Sequence, residues 1–283
     1  MLTRSGIILG LALLAAVAAG SPLRAEDAQQ APPAAPQTDA QKAAPQTDAP
    51  QTAPTTTGSI EGCDVPDNLL ATDSVLQKVT DAVKAGKPLD ILVIGSRSST
   101  IPQSEASAYP ARMQVTLQEA LPKVTVNLSV EIQPKTTAED AVGTFARLLE
   151  GKKPTLVVWQ TGTVDAMRSV DPDEFHNAVD EGVVALQNAG ADVVLINPQY
   201  SPRTETMISV PPYLDNMRAV AQQRDIPLFD RYAIMHQWND DGEFDLFSTS
   251  HGLELARRVH DCLGRAMSKF VIDAAHLGPS QQN

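Results

Sequence analysis

The sequence is poor in cysteine and in basic charge, and each shortage removes a class of protein. Two cysteines in 283 residues cannot supply the four ligands of a finger-type or ribbon-type zinc site. They also exclude a disulfide-dense scaffold. Lys and Arg number 22 against 34 Asp and Glu, for a net charge of −12. That balance argues against a nucleic-acid backbone or an anionic membrane surface as the main partner, because both recruit a basic face. Beyond the N-terminus no apolar run is long enough to span a bilayer. What is present is enough hydrophobic residue, 42 %, to bury a core.

The one apolar run, 7–19, follows Arg4 and precedes small residues. It is shorter than the roughly 20 residues of a spanning helix. Residues 1–25 therefore read as a secretory leader, with Ala25 or Gly20 as the cleavage point and an uncleaved anchor as the alternative. No cysteine follows the run, so a lipid anchor is not indicated. Removing 1–25 takes away Arg4 and Arg24 and no acid, which makes the remainder more acidic by two charges. Residues 26–60 repeat Ala-Pro-Gln-Thr-Asp-Ala at 35–40 and 44–49. This stretch has no apolar periodicity with which to offset its ordering entropy, so it reads as a semi-extended spacer. Residues 61–283 then form one domain.

Within that domain, short branched apolar runs alternate with helical patterns. Strands are predicted at 89–95, 124–132, 155–160, 191–197 and 226–229. Asp171-Pro172-Asp173-Glu174 is a helix start, with a capping acid, proline in the first turn and acids against the dipole. Phe175, Val179, Val183 and Leu186 follow at helical spacing, and Gly190 stops the run. A second helix is expected at 137–150. A last one carries Leu255, Val259, Cys262, Ala266 and Phe270 on one stripe. The alternation predicts a three-layer α/β/α sandwich around a five-stranded parallel, flavodoxin-like sheet. Ligands of such sheets bind beyond the carboxyl ends of the strands.

Those ends contain hydroxyls. Gly95-Ser96-Arg97-Ser98-Ser99-Thr100 follows the first strand; a serine there is a nucleophile if a base reaches it, and otherwise a cap or a polar turn. Thr161-Gly162-Thr163 follows the third strand, where Gly162 permits close backbone approach. Arg203 follows the fourth, and could grip an anionic or sugar ligand. Before the last helix, His251 and Glu254 stand three apart at a helix start, on nearly one face. The other histidines, His176, His236, His260 and His276, show no ligand spacing and read as structural or exposed.

In this order the segments resemble the SGNH/GDSL hydrolases over roughly 64–275. Tyr109-Pro110-Ala111-Arg112 fits the helix after that family's nucleophile loop, and Val158-Trp159-Gln160-Thr161-Gly162-Thr163 fits its third block. The likeness is strongest to an exported branch with a cysteine near each end of the domain. It implies an esterase of acyl or acetyl groups with a serine nucleophile, with Ser98 the best placement and Ser96 or Ser99 fitting other alignments. His251 becomes the base and Glu254 its orienter. Gly162 and Thr163 become oxyanion donors; Arg97 and Arg203, from their places after the first and fourth strands, are candidate substrate or ligand grips. The implied partner is a small-molecule or polysaccharide ester in the periplasm or outside the cell, with no nucleic acid and no metal or organic cofactor.

The departures are specific. Gly-Asp-Ser is replaced by Gly95-Ser96-Arg97-Ser98-Ser99. Gln133-Pro134-Lys135 lacks the second-block glycine, and Val164 stands where an oxyanion asparagine belongs. His251-Gly252-Leu253-Glu254 reverses the expected Asp-x-x-His. A lost oxyanion donor typically costs roughly 3–4 kcal/mol of transition-state stabilisation. The sequence therefore supports two readings: a serine esterase with a rearranged base, or a binding module for carbohydrate or acidic ligands that has lost the chemistry. The oxidising compartment implied by the leader favours a bridge between Cys63 and Cys262 over two buried thiols.

Overall fold

The computed structural model describes residues 63–247 and 252–278. Residues 1–25, read from sequence as a leader, residues 26–60, read as a spacer, and His251 lie outside the described residues. The elements run α1 (Asp67–Leu70), α2 (Gln77–Lys84), β1 (Leu89–Gly95), α3 (Tyr109–Ala120), β2 (Val126–Ile132), α4 (Ala138–Leu149), β3 (Leu156–Gln160), α5 (Thr163–Arg168), α6 (Pro172–Asn188), β4 (Asp192–Ile196), α7 (Pro202–Glu205), α8 (Pro211–Arg224), β5 (Leu228–Phe229), α9 (Arg231–Asp240) and α10 (Gly252–Ala274). The strands form one parallel sheet in the order β2-β1-β3-β4-β5. The chain leaves β1 for β2 on one side and returns to β3 on the other. The topological switch point, where open α/β sheets open a crevice, therefore lies between the carboxyl ends of β1 and β3.

Strand alternation divides the core in two. Leu89, Ile91 and Val93 of β1, Leu156 and Val158 of β3, and Val194 and Ile196 of β4 pack under α3, α9 and α10. Leu92 and Ile94, Val157 and Trp159, and Val193 and Leu195 face α4, α6 and α8. Burial on both faces explains why these strands read as unbroken apolar runs. Trp159 meets Phe145 edge-on at 5.0 Å and rests on Gly182, where any Cβ would collide with its ring.

Two strands start two residues later than the sequence pattern indicates. Val124 N–H donates to Leu121 O at 3.0 Å, so 124–125 complete a turn and β2 begins at Val126. Pro227 has no N–H, and only its carbonyl joins the ladder, accepting from Leu195 N at 3.1 Å; β5 is left with two residues. The α6 start is as expected: the Asp171 carboxylate accepts from Asp173 N at 2.9 Å and from Glu174 N at 3.3 Å.

Cys63 and Cys262 form a disulfide, with their Cα atoms 5.1 Å apart. It fastens the start of the domain to α10. Trp238 Nε1 donates to Asp64 O at 2.8 Å, and Thr80 Oγ1 to Ala275 O at 2.7 Å. No helix among the described residues is long and apolar enough to cross a membrane.

Candidate active site

At the switch point the chain leaves β1 through Gly95 and makes a single tight turn over Arg97–Ser99. Gly95 has no substitute there, because a Cβ would strike the Ser99 side chain. The three serines of this turn have different surroundings. Ser99 is buried; its hydroxyl donates to Gln160 Oε1 at 2.5 Å and accepts from Tyr109 Oη at 3.3 Å. Ser96 caps the turn, accepting from Ser98 N at 3.4 Å. Ser98 is half-buried, and its Oγ lies 3.2 Å from Ser96 Oγ.

Gln160 closes β3 and is buried. It falls on the same face as Leu156 and Val158, so its amide reaches toward α3 and α9. Nε2 donates to Ser98 Oγ at 2.7 Å and to Ser96 Oγ at 3.0 Å. Oε1 accepts from Ser99 and from Arg231 Nη1 at 3.1 Å. A guanidinium only donates, so the atom facing Arg231 must be the oxygen, which fixes the amide orientation.

Arg231 is the first residue of α9 and is 1 % exposed. Nη1 also reaches Ser98 Oγ at 3.3 Å, and Nη2 reaches Gln199 Oε1 at 3.0 Å. Its guanidinium carbon lies 5.6 Å from the centre of the Tyr109 ring. Neighbouring polar groups hold this residue in place. Asn197, at the end of β4, donates to Asp230 Oδ1 at 2.6 Å and accepts from Tyr232 N at 2.9 Å. Asp230 Oδ1 also accepts from Ala233 N at 2.9 Å. These bonds lock the start of α9 against the sheet. No carboxylate forms an ion pair with Arg231 among the described residues.

Burial lowers the Arg231 pKa to about 10, an effect partly opposed by Tyr109. The guanidinium therefore stays charged at neutral pH. Burial raises the Tyr109 phenol, against the pull of Arg231 and Ser99. His260 on α10 accepts from Tyr109 N at Nδ1, 3.0 Å away. Burial first, and Arg231 second, hold its pKa down to about 3. His260 is therefore a neutral structural imidazole whose acceptor nitrogen is already used.

Beside this cluster a small cleft is lined by Ser96, Gln133, Gln160, Gly162, Thr163 and Val164. Gly162 precedes α5 in the left-handed conformation, φ +94°, and a Cβ there would press on Pro198 at 3.2 Å. Thr163 Oγ1 and Gln133 Oε1 are buried without a hydrogen-bond partner among the described residues. Lys135 takes a left-handed backbone, φ 61°, which glycine would adopt at less cost. The structure thus brings Ser96, Gly162 and Thr163 to one cleft, with Ser98 joined to it through Gln160. Arg97 is exposed in the turn. Arg203 is exposed on α7, with its guanidinium over the Phe247 ring at 5.5 Å. Glu254 is exposed in the first turn of α10, and neither it nor these two arginines hydrogen-bonds to Ser98 among the described residues.

Sequence reasoning missed Gln160 and Arg231 as site residues. Two signals were available: a glutamine that ends an otherwise apolar strand, and an arginine that opens the helix after the fifth strand, the one strand end left unconsidered.

Residues 62–277 match the model of the non-GDSL lipase-like family. No curated protein matches the chain by sequence. Among solved structures, the chain is similar to a two-domain esterase active on acetylated mannans (TM-score 0.57, 16 % identity, covering 75 % of this chain and 57 % of that one). It is also similar to a catalytic mutant of an acetylxylan esterase from Geobacillus stearothermophilus (TM-score 0.52, 15 % identity, 65 % and 94 %). A third similar structure is an alpha/beta hydrolase from the metagenome of Lake Arreo, Spain (TM-score 0.51, 18 % identity, 68 % and 98 %). At these identities the likeness is one of fold. It agrees with the parallel α/β sheet flanked by helices. The fold is that of the SGNH hydrolases, and the chain belongs to the non-GDSL lipase-like family.

Proposed function

We propose that this protein is an exported ester hydrolase that removes small acyl or acetyl groups, with envelope polysaccharide as the substrate class and Ser98 as the nucleophile. The observation that carries the reading is the state of Ser98 Oγ. It stands half-buried at the switch point and accepts a hydrogen bond from Gln160 Nε2 at 2.7 Å. Ser99 is turned inward and bound on both sides, and Ser96 caps the turn, which leaves Ser98 as the serine for chemistry. Activity of two structurally similar proteins on acetylated mannans and acetylxylan supports an acetyl substrate. The leader at 1–25 supports export to the periplasm or medium.

In this mechanism the Ser98 proton passes to His251, which Glu254 orients. Ser98 Oγ attacks the acyl carbon, and the carbonyl electron pair moves to oxygen. Collapse of the tetrahedral adduct expels the alcohol, which takes the proton back, and water then repeats the sequence on the acyl-serine. Gly162 and Thr163 line the acyl side, where the Thr163 hydroxyl, without a partner among the described residues, donates to the oxyanion. One observation favours the second reading, a binding module without chemistry: Val164 lines the cleft, and its side chain offers no donor where an asparagine amide would.

The test is hydrolysis of p-nitrophenyl acetate by the full chain beside Ser98→Ala and Ser96→Ala. The reading requires a rate that vanishes in Ser98→Ala and persists in Ser96→Ala. A rate unchanged by Ser98→Ala would remove the esterase assignment.

A further inference from the structure

We propose that Arg231 is a catalytic residue of this site: its guanidinium, acting with Gln160 Nε2, stabilises the negative charge that develops at Ser98 Oγ as its proton leaves for the base. The inference rests on the ester-hydrolase reading above. It places Arg231 and Gln160 at the nucleophile oxygen, a position distinct from the oxyanion side lined by Val164.

The argument begins with the cost of the arrangement. A guanidinium 1 % exposed has been stripped of water, yet its partners are all neutral oxygens: Ser98 Oγ at 3.3 Å, Gln160 Oε1 at 3.1 Å and Gln199 Oε1 at 3.0 Å. Its Nε–H has no partner among the described residues. Buried charges are ordinarily paired, because an unpaired one forfeits its hydration without return. A stitch between three neutral side chains needs only neutral donors. A cation improves on such donors where a negative charge forms, and the reacting oxygen is among its contacts. The Ser98 contact is the longest of the three. Hydrogen bonds to an ionised oxygen are shorter and about twice as strong as neutral ones, so this contact gains most when Ser98 ionises.

The surroundings leave the positive charge intact. Tyr109 on α3 faces Arg231 with its ring, and burial keeps its phenol protonated. His260 on α10 is neutral. Gln160 donates through both Nε2 hydrogens, to Ser96 and Ser98. Ser98 Oγ thus receives two donors, one of them cationic, and donors to the charged form of a group favour its ionisation. Because the donors are fixed by packing before substrate arrives, no reorganisation is needed during the reaction.

The experiment compares wild type with Arg231→Met, Arg231→Lys and Gln160→Glu in two assays. One is p-nitrophenyl acetate hydrolysis. The other is the rate at which ethyl p-nitrophenyl methylphosphonate modifies Ser98, forming an Oγ–P bond and expelling p-nitrophenolate. Arg231→Met is expected to lower kcat and the phosphonylation rate by about 10²–10³-fold, the size of loss seen when one preorganised donor to a developing charge is removed, with KM little changed. Arg231→Lys should recover a large part of both rates. Gln160→Glu, nearly isosteric, should lower both, since it removes the donor to Ser98 and neutralises Arg231. If Arg231→Met does not fold, the other two variants decide. Rates within twofold of wild type in folded Arg231→Met or Gln160→Glu, with Ser98→Ala inactive, would overturn the inference and leave the hydrolase reading standing. A wild type that neither hydrolyses the ester nor takes the phosphonate on Ser98 would overturn both.

Discussion

The two faces of the sheet carry different chemistry to their carboxyl ends. Under α4, α6 and α8 the strand residues are apolar to their ends, closing with Trp159 against Phe145 and Gly182, and the buried Asp165 carboxylate accepts from Ala138 N at the start of α4. Under α3, α9 and α10 it is equally apolar along the strands, but it ends in Tyr109, His260, Gln160 and Arg231, all buried. The first face is built mainly for packing, with one buried carboxylate, Asp165, beside α4. The second accepts the cost of desolvated polar groups at the one point where the strand order reverses. Buried polar groups that are mutually bonded make a rigid frame, and here the frame surrounds Ser98.

That contrast can be broken from either side. The largest effect on stability is expected on the apolar face: Trp159→Ala should cost about 3–5 kcal/mol in urea unfolding, by lost burial and a residual cavity. A cost below about 1 kcal/mol would show that this face is not close-packed. Next comes the clamp beneath the polar face. Replacing Cys63 and Cys262 by serine reopens a loop with a sequence separation of 199 residues, and should cost about 2–5 kcal/mol. An unchanged melting curve would contradict a stabilising role.

The third prediction concerns acid. His260 titrates near 6.5 in an unfolded chain and is held to about 3 in the folded protein. Below pH 6.5 the unfolded chain takes up a proton that the native state refuses. Stability should therefore fall by up to about 1.4 kcal/mol per pH unit between pH 6.5 and 3. Asp165 and Asp192, whose carboxyls burial pushes up, act in the opposite sense, so the difference between wild type and His260→Asn isolates the histidine. Equal slopes in the two proteins would contradict the buried neutral imidazole. The smallest effect is expected for Tyr109→Phe, which removes one hydroxyl donor to Ser99 and should cost about 1 kcal/mol with little change in ester hydrolysis.

The same contrast marks what the sequence made legible. β1, β3 and β4 were readable because burial on both faces demands unbroken apolar runs, and α6 because its cap, proline and acids are local signals. The late start of β5 follows from a proline whose missing N–H is visible, although where the ladder begins depends on β4. Ser98, Gly162 and Thr163 were reachable as residues at strand ends. Arg231 was not, because its significance is non-local. It consists of contacts with residues 98, 160 and 199, from three other strand ends, and no periodicity reports a guanidinium without a carboxylate. Val164 and the missing second-block glycine pointed to lost oxyanion donors; the donors that face Ser98 come from elsewhere in the chain.

The most direct test of the central claim, that this polar end of the sheet activates Ser98, is to locate the phosphonate adduct by mass spectrometry. Arg97 and Arg112 bound a tryptic peptide, 98–112, that separates Ser98 from Ser96, and fragmentation separates Ser98 from Ser99. A single adduct on Ser98, formed far more slowly in Arg231→Met, is the predicted result. An unmodified protein, or an adduct on Ser96 or Ser99, would contradict it.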